Sequence, residues 1–208
     1  MEEGVVKYRC HWKQQVIPFD ALMGTILDYR HRLYQQNLIG AYPESGIGFG
    51  NISCRSPQGV CWISGSQTGH IPHLLSEHIA WVSRVDTSAN ELWCEGETKA
   101  SSESLTHAAV YQLHPHIAAV IHVHHLGLWQ QLQQTHPTSS AEVPYGTPEM
   151  AGEVQRLYRE TDLKERKLLA MGGHEEGIIS FGTSMEEAYE VLFAEWQAYE
   201  QGNETLSI

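Results

Sequence analysis

Between residues 18 and 38 the apolar positions Leu22, Ile26, Tyr29 and Leu33 recur at helical spacing, and Gly40 is a stop signal. The pattern then changes. Residues 41–50, Ala-Tyr-Pro-Glu-Ser-Gly-Ile-Gly-Phe-Gly, predict a glycine-rich loop. Residues 51–55 and 60–64 predict two strands around the turn Ser56-Pro57-Gln58-Gly59, and residues 79–86 and 91–95 a second hairpin pair. Ser101-Ser102-Glu103 predicts the opening of a helix that runs to about Leu113. Serine caps free N–H groups, a first-turn carboxylate suits the helix dipole, and Pro115 ends the element. The apolar, β-branched run at 117–124 predicts a buried strand. Helices at 126–134 and 148–159 follow, then strands at 167–171 and 177–181 joined through Gly172-Gly173-His174-Glu175-Glu176. Ser184 and Glu187 form a capping box for a last helix, with Ala188, Val191, Leu192 and Trp196 inward and a stop near Gly202. Helices interleaved with hairpin-joined strands predict an α/β chain with a mixed, helix-covered sheet rather than a purely parallel one. With no repeat or linker, one domain over residues 1–208 is expected.

Composition narrows the function. Hydrophobic residues at 41% and charged residues at 18% exclude disorder of the whole chain. Thirteen Lys+Arg against 25 Asp+Glu give a net charge of −12, which argues against a nucleic-acid partner. An anionic ligand is still allowed, because a metal or a helix N-terminus reverses the field locally. No apolar run approaches the ~18 residues of a membrane helix, so no membrane partner is expected. The acidic opening Met1-Glu2-Glu3-Gly4 is not a secretory signal, and a soluble cytoplasmic protein follows as the expectation. Cys10, Cys54, Cys61 and Cys94 lack C-x-x-C spacing. Cys54 and Cys61 could face each other across a hairpin, but reduced, structural cysteines suit that compartment.

The 13 histidines raise the question of chemistry. In the strand Ile121-His122-Val123-His124-His125, alternate residues share a face, so His122 and His124 point together and His125 points away. They are either unrelated strand-end histidines or adjacent corners of a tetrahedral metal site, with metal–nitrogen distances of ~2.0–2.1 Å. His174, after paired glycines, is either a turn histidine or a third ligand. Three ligands with an open position is the arrangement of catalytic zinc. Ser101-Ser102-Glu103 is either an ordinary helix cap or an anion site with a rigidly held acid/base. His107, four residues on, falls on the same helix face as Glu103. The Gly-x-Gly-x-Gly at 46–50 precedes a strand, unlike a dinucleotide fingerprint, which follows one.

Taken in order, these motifs resemble a known family. Gly50-Asn51-Ile52-Ser53-x-Arg55, Thr68-Gly69, Ser101-Ser102-Glu103 with His107, Val120-Ile121-His122-Val123-His124, Gly146-Thr147-Pro148-Glu149-Met150-Ala151, and His174 with Gly182 and Glu187-Ala188 resemble the class II aldolase/adducin family over about residues 22–199. The resemblance implies a three-layer α/β/α fold with a mixed central sheet, assembled as a homotetramer with active sites at subunit boundaries. It implies one zinc ion per chain on His122, His124 and His174, with Glu103 as the catalytic acid/base. Gly50, Asn51, Thr68, Gly69, Ser101 and Ser102 would then contact a phosphate. The activity implied is that of a zinc-dependent aldehyde-lyase cleaving a small sugar phosphate through a metal-stabilised enediolate. An epimerase or dehydratase on the same site is the alternative. A non-catalytic adducin-like interaction module is a further one, against which the three histidines and Glu103 argue. The chain also departs from the family pattern. Glu175 follows His174 where the family has His-Gly, and either tunes the metal or faces solvent. The longer stretch at 63–69 leaves Ser66 and Thr68 both open as the phosphate hydroxyl. Tyr145 is a candidate for the tyrosine that some aldolases supply from a neighbouring subunit.

Overall fold

The strand and helix order of the computed structural model, which describes residues 8–206, is β1 (Arg9–Gln14), α1 (Ala21–Gln35), β2 (Gly40–Ala41), β3 (Gly48–Phe49), β4 (Asn51–Arg55), β5 (Cys61–Ser64), β6 (Ile79–Asp86), β7 (Glu91–Gly96), α2 (Ser104–Leu113), β8 (Ala119–His124), α3 (Leu126–Thr135), α4 (Pro148–Glu160), α5 (Leu163–Arg166), β9 (Leu168–Ala170), β10 (Gly177–Gly182) and α6 (Met185–Leu206). Eight strands form one mixed sheet in the order β1-β7-β6-β5-β4-β8-β10-β9. Only β1 and β7 run parallel; the other neighbours are antiparallel.

Helices cover both faces, which makes the expected three-layer α/β/α architecture. On one face α1, α3 and α6 bury Met23, Ile26, Leu128, Leu132, Leu192 and Trp196 against the sheet. On the other, α2, α4 and α5 bury Leu105, Val110, Met150, Val154 and Leu163. Strand β8 shows why its sequence reads as it does. Ala119, Ile121 and Val123 point into the first layer, and Val120 points into the second. His122 and His124 alternate with them and therefore face the α2/α4 side, at 0% and 2% exposure. A strand buried on both faces carries no polar-out positions, so these two imidazoles are interior groups.

Several elements differ from the sequence expectations. Helix α2 begins at Ser104, so Ser101-Ser102-Glu103 forms the turn ahead of it, with Glu103 at the N-cap. The 41–50 loop is pinned at both ends by the small β2–β3 ladder. β1 was not anticipated; its alternation is weak because it is an edge strand, half exposed. Helix α6 passes Gly202 and runs to Leu206. Its Ser184 hydroxyl accepts from the Glu187 N–H, but the Glu187 carboxylate turns to Thr183 and Lys167 instead of closing the capping box. In α1 the buried stripe is Met23, Ile26, Arg30 and Leu33, with Leu22 and Tyr29 half-buried beside it. The four cysteines are free, and Cys54 pairs in register with Trp62, not Cys61. Among the described residues no helix is long and apolar enough to cross a membrane.

Candidate functional site

Strand β8 delivers His122 and His124, and the turn between β9 and β10 delivers His174. The three are buried, and one ligand atom from each lies within 4.8 Å of the others, close enough to hold one metal ion. The protonation pattern of two of them follows from their partners. His122 Nδ1 lies 3.1 Å from the Ile178 carbonyl, which can only accept, so Nδ1 carries the proton. The Tyr42 hydroxyl donates to Glu176 Oε2 at 2.7 Å, so its oxygen is left to accept from His124 Nδ1 at 3.0 Å. Neutral rings so bonded both present a bare Nε2, and these two nitrogens lie 3.1 Å apart. Lone pairs at that distance repel unless a cation sits between them. Tetrahedral zinc with bonds of ~2.0–2.1 Å holds its nitrogens about 3.3 Å apart. The donor set thus fits a divalent metal.

The surroundings fit as well. Burial, reinforced by the imidazoles of His124, His174 and His107, drives the His122 pKa well below the ordinary histidine range and keeps the ring neutral, as a ligand must be. Glu103, 1% exposed, places Oε1 3.4 Å from His174 Nδ1, while Oε2 accepts from the Thr106 hydroxyl at 2.8 Å. Tyr145 is buried and stacks on its own chain's His174, with ring centroids 4.2 Å apart, so this tyrosine is core packing and not a side chain offered to a neighbour. His125 points to the opposite layer. It caps α3 by accepting from the Leu128 N–H and packs against Trp196 and Tyr199.

All six residues expected to contact phosphate line one small pocket: Gly50, Asn51, Thr68, Gly69, Ser101 and Ser102. Gly48, Gly65, Ser66 and Gln67 complete it. Asn51 lies opposite His122 in the β4–β8 register, so cradle and cluster are neighbours on one face of the sheet. Its buried side-chain oxygen has no hydrogen-bond partner among the described residues. Two glycines are sterically required. Gly50 has φ +74°, and a Cβ there would come within 2.8 Å of Ile39; at Gly69 a Cβ would meet the Gly40 carbonyl oxygen at 2.0 Å.

Beneath the cradle lies Arg30, 1% exposed. Its guanidinium donates to the carbonyls of Thr68 (3.1 Å), Gly69 (2.9 Å), Pro72 (3.0 Å) and Ile71. Burial lowers its pKa to about 10, so it stays charged at neutral pH. Because the peptide unit is planar and trans, gripping the Thr68 carbonyl turns the Gly69 N–H away from the guanidinium. A second buried network backs α2. Ser53 Oγ lies 2.7 Å from both His107 Nδ1 and the Tyr111 hydroxyl.

Sequence reasoning missed Arg30, Tyr42 and Glu176. Arg30 interrupts an apolar stripe four residues after Ile26, a legible signal of a buried charge. Tyr42 is a lone aromatic in a glycine-rich loop. Glu175 is exposed, and of these two adjacent carboxylates it is Glu176 that approaches the cluster. A cavity of about 230 Å³ lies at the other end of β8 and β10, bordered by Ile117, Phe181 and Lys167, and contains none of the expected site residues.

Residues 33–198 match the family model of the class II aldolase and adducin N-terminal domain. Among solved structures the chain is similar to L-fuculose-1-phosphate aldolase from Thermus thermophilus, at 20% identity, covering 89% of this chain and 92% of that one with a TM-score of 0.60. It is similar to a sugar-phosphate aldolase from Thermotoga maritima at 16% identity, covering 90% and 97%, TM-score 0.66. It is also similar to YgbL from Klebsiella pneumoniae, assigned only provisionally among aldolase, epimerase and decarboxylase activities, at 19% identity, covering 87% of each chain, TM-score 0.63. At these identities the likeness establishes the fold. No curated protein matches.

Burial lowers the His107 pKa to about 3. An unfolded chain binds that proton below about pH 6.5, and the folded chain does not until about pH 3. The stabilisation is complete above pH 6.5 and is lost as pH falls toward 3. Replacing His107→Gln should flatten the rise of unfolding free energy with pH across that window, by up to about 1.4 kcal/mol per pH unit. Urea melts at a series of pH values measure the slope, and an unchanged slope would contradict a buried neutral His107.

Proposed function

The chain belongs to the class II aldolase and adducin family, and on that premise we propose that it is a zinc-dependent aldehyde-lyase that cleaves a small sugar phosphate. The observation that carries this reading is an adjacency. The three-histidine cluster, the buried Glu103 and the hydroxyl-lined cradle share one face, with Asn51 opposite His122. The solved relatives named as fuculose-phosphate and sugar-phosphate aldolases support the substrate class.

The parts divide the work. Gly69 N–H and the hydroxyls of Ser66, Ser101 and Ser102 hold the phosphate and so fix the reacting carbons, which supplies effective concentration. The Thr68 hydroxyl already donates to the Gly65 carbonyl at 2.8 Å, so of the two loop hydroxyls Ser66 makes the contact. His122, His124 and His174 would hold a zinc ion, which would supply Lewis acidity toward the substrate. Glu103 carries the proton. Thr106 anchors Oε2, which leaves Oε1, on the His174 side, to meet the substrate. Epimerisation or dehydration would use the same parts, and product analysis separates them from carbon–carbon cleavage. The homotetramer that the family resemblance implies would cover part of this surface, where the large apolar side chains of Val16 and Phe19 are exposed.

The purified protein, screened against sugar phosphates, should release an aldehyde, and chelation should abolish the release. A screen with no turnover in the zinc-loaded protein would favour a binding module. Glu103→Gln keeps the Thr106 contact but loses the proton carrier. Turnover should fall roughly 100- to 10,000-fold with metal content within about twofold of wild type. Wild-type turnover would remove Glu103 from proton transfer; lost metal would make it a ligand. In Ser66→Ala, KM should rise roughly tenfold, the worth of one hydrogen bond to an anion, with kcat nearly kept. Unchanged KM would return that role to Thr68. Light scattering should find four chains per particle, and a monomer at micromolar concentration would sink the shared-boundary arrangement.

A further inference from the structure

We infer that Tyr42 and Glu176 are positioning residues that fix the tautomer of His124 and strengthen its hold on a cation. The inference deepens the metal reading above and rests on it for its second half.

The chain of contacts runs inward from the surface. Glu176, about a quarter exposed at its side chain, accepts from the Tyr42 hydroxyl at 2.7 Å, and that oxygen lies 3.0 Å from His124 Nδ1. The polarity of this chain is forced. An ionised carboxylate has no proton to give, and a phenol has one. Tyr42 therefore spends its proton on Glu176 and must receive one from His124. In a neutral ring the consequence is a bare Nε2 on His124, the atom that faces His122. A ligating histidine whose other N–H is bonded to an acceptor is held in orientation and made a better donor.

Two observations set this pair apart from incidental surface contacts. Glu176 sits at φ +67°, in the left-handed region that favours glycine. A bulky side chain kept there points to a use for the carboxylate. Tyr42 and Phe49, at the two ends of the 41–50 loop, lie against each other with centroids 4.8 Å apart, and Phe49 stacks on the His124 ring. The loop thus grips the imidazole by its face and by its Nδ1 edge. Glu176 approaches that Nδ1 edge, away from Nε2, so it is not a fourth ligand in this arrangement.

Tyr42→Phe keeps the ring packing and deletes only the hydroxyl. Glu176→Gln keeps an oxygen that accepts the Tyr42 proton and deletes only the charge. The first readout needs no metal. Nitrogen-15 NMR of the metal-free protein should find His124 protonated on Nδ1 in wild type and in Glu176→Gln, and redistributed toward Nε2 in Tyr42→Phe. The second is zinc affinity by competition with a chelator. It should fall roughly 10- to 100-fold in Tyr42→Phe, with a smaller loss in Glu176→Gln. Thermal melts of the metal-free variants check that both are folded. An unchanged His124 tautomer in Tyr42→Phe, or zinc affinity within twofold of wild type, overturns the inference. If wild type binds no zinc while the tautomer still shifts, the metal reading fails and the orientation of His124 by Tyr42 stands.

Discussion

Two imidazole nitrogens 3.1 Å apart can stay together only with a proton or a metal cation between them, and the rest of the site is organised around that constraint. Each ring is held in the awkward position from behind. The Ile178 carbonyl of β10 takes the His122 N–H, and the Tyr42 hydroxyl takes that of His124. Without those acceptors either ring could flip its proton inward and satisfy the pair with an ordinary hydrogen bond. The sheet supplies the rigidity. β8 lies between β4 and β10, and its apolar residues on the far side are locked into the α1/α3/α6 layer. A cation-binding geometry can be kept because the backbone beneath it cannot relax.

The same strand registers join the cradle to the histidine cluster. Asn51 on β4 sits opposite His122, and Ser53, two residues along the same face, reaches His107 and Tyr111 on α2. α2 is buried along nearly its whole length, which is unusual for a helix led by serines and a glutamate. Most of its polar groups are satisfied inside: His107 and Tyr111 meet Ser53 of β4, Ser104 donates to the Ser101 carbonyl and Thr106 to Glu103. Glu103 gains from this a fixed position at the helix start.

Much of the arrangement was legible in the chain. Period-two alternation through Ile121-His122-Val123-His124 put both imidazoles on one face, and the glycines before His174 marked a turn that could approach them. The six cradle positions, scattered over some fifty residues, could be grouped only through family resemblance, because strand order is not written in local pattern. What stayed hidden depended on tertiary neighbours. Glu175 and Glu176 are chemically identical, and which one reaches Tyr42 is decided by a left-handed backbone that no side-chain pattern announces. The onset of α2 was misplaced by three residues because Ser101 and Ser102 suit a cap and a cradle equally. β1 escaped notice because an edge strand buries too little to show alternation.

Arg30 carries one more consequence. The cradle lies on an acidic protein, yet a cation stands behind its loop, buried under the carbonyls of Thr68 and Gly69. Surface lysines attract anions through water and lose their influence as salt rises. A buried guanidinium is shielded much less. An anion seated in this cradle would therefore be held with little dependence on ionic strength. Lysine could not take over at this position, because a single ammonium lacks the planar fork that spans several carbonyls at once.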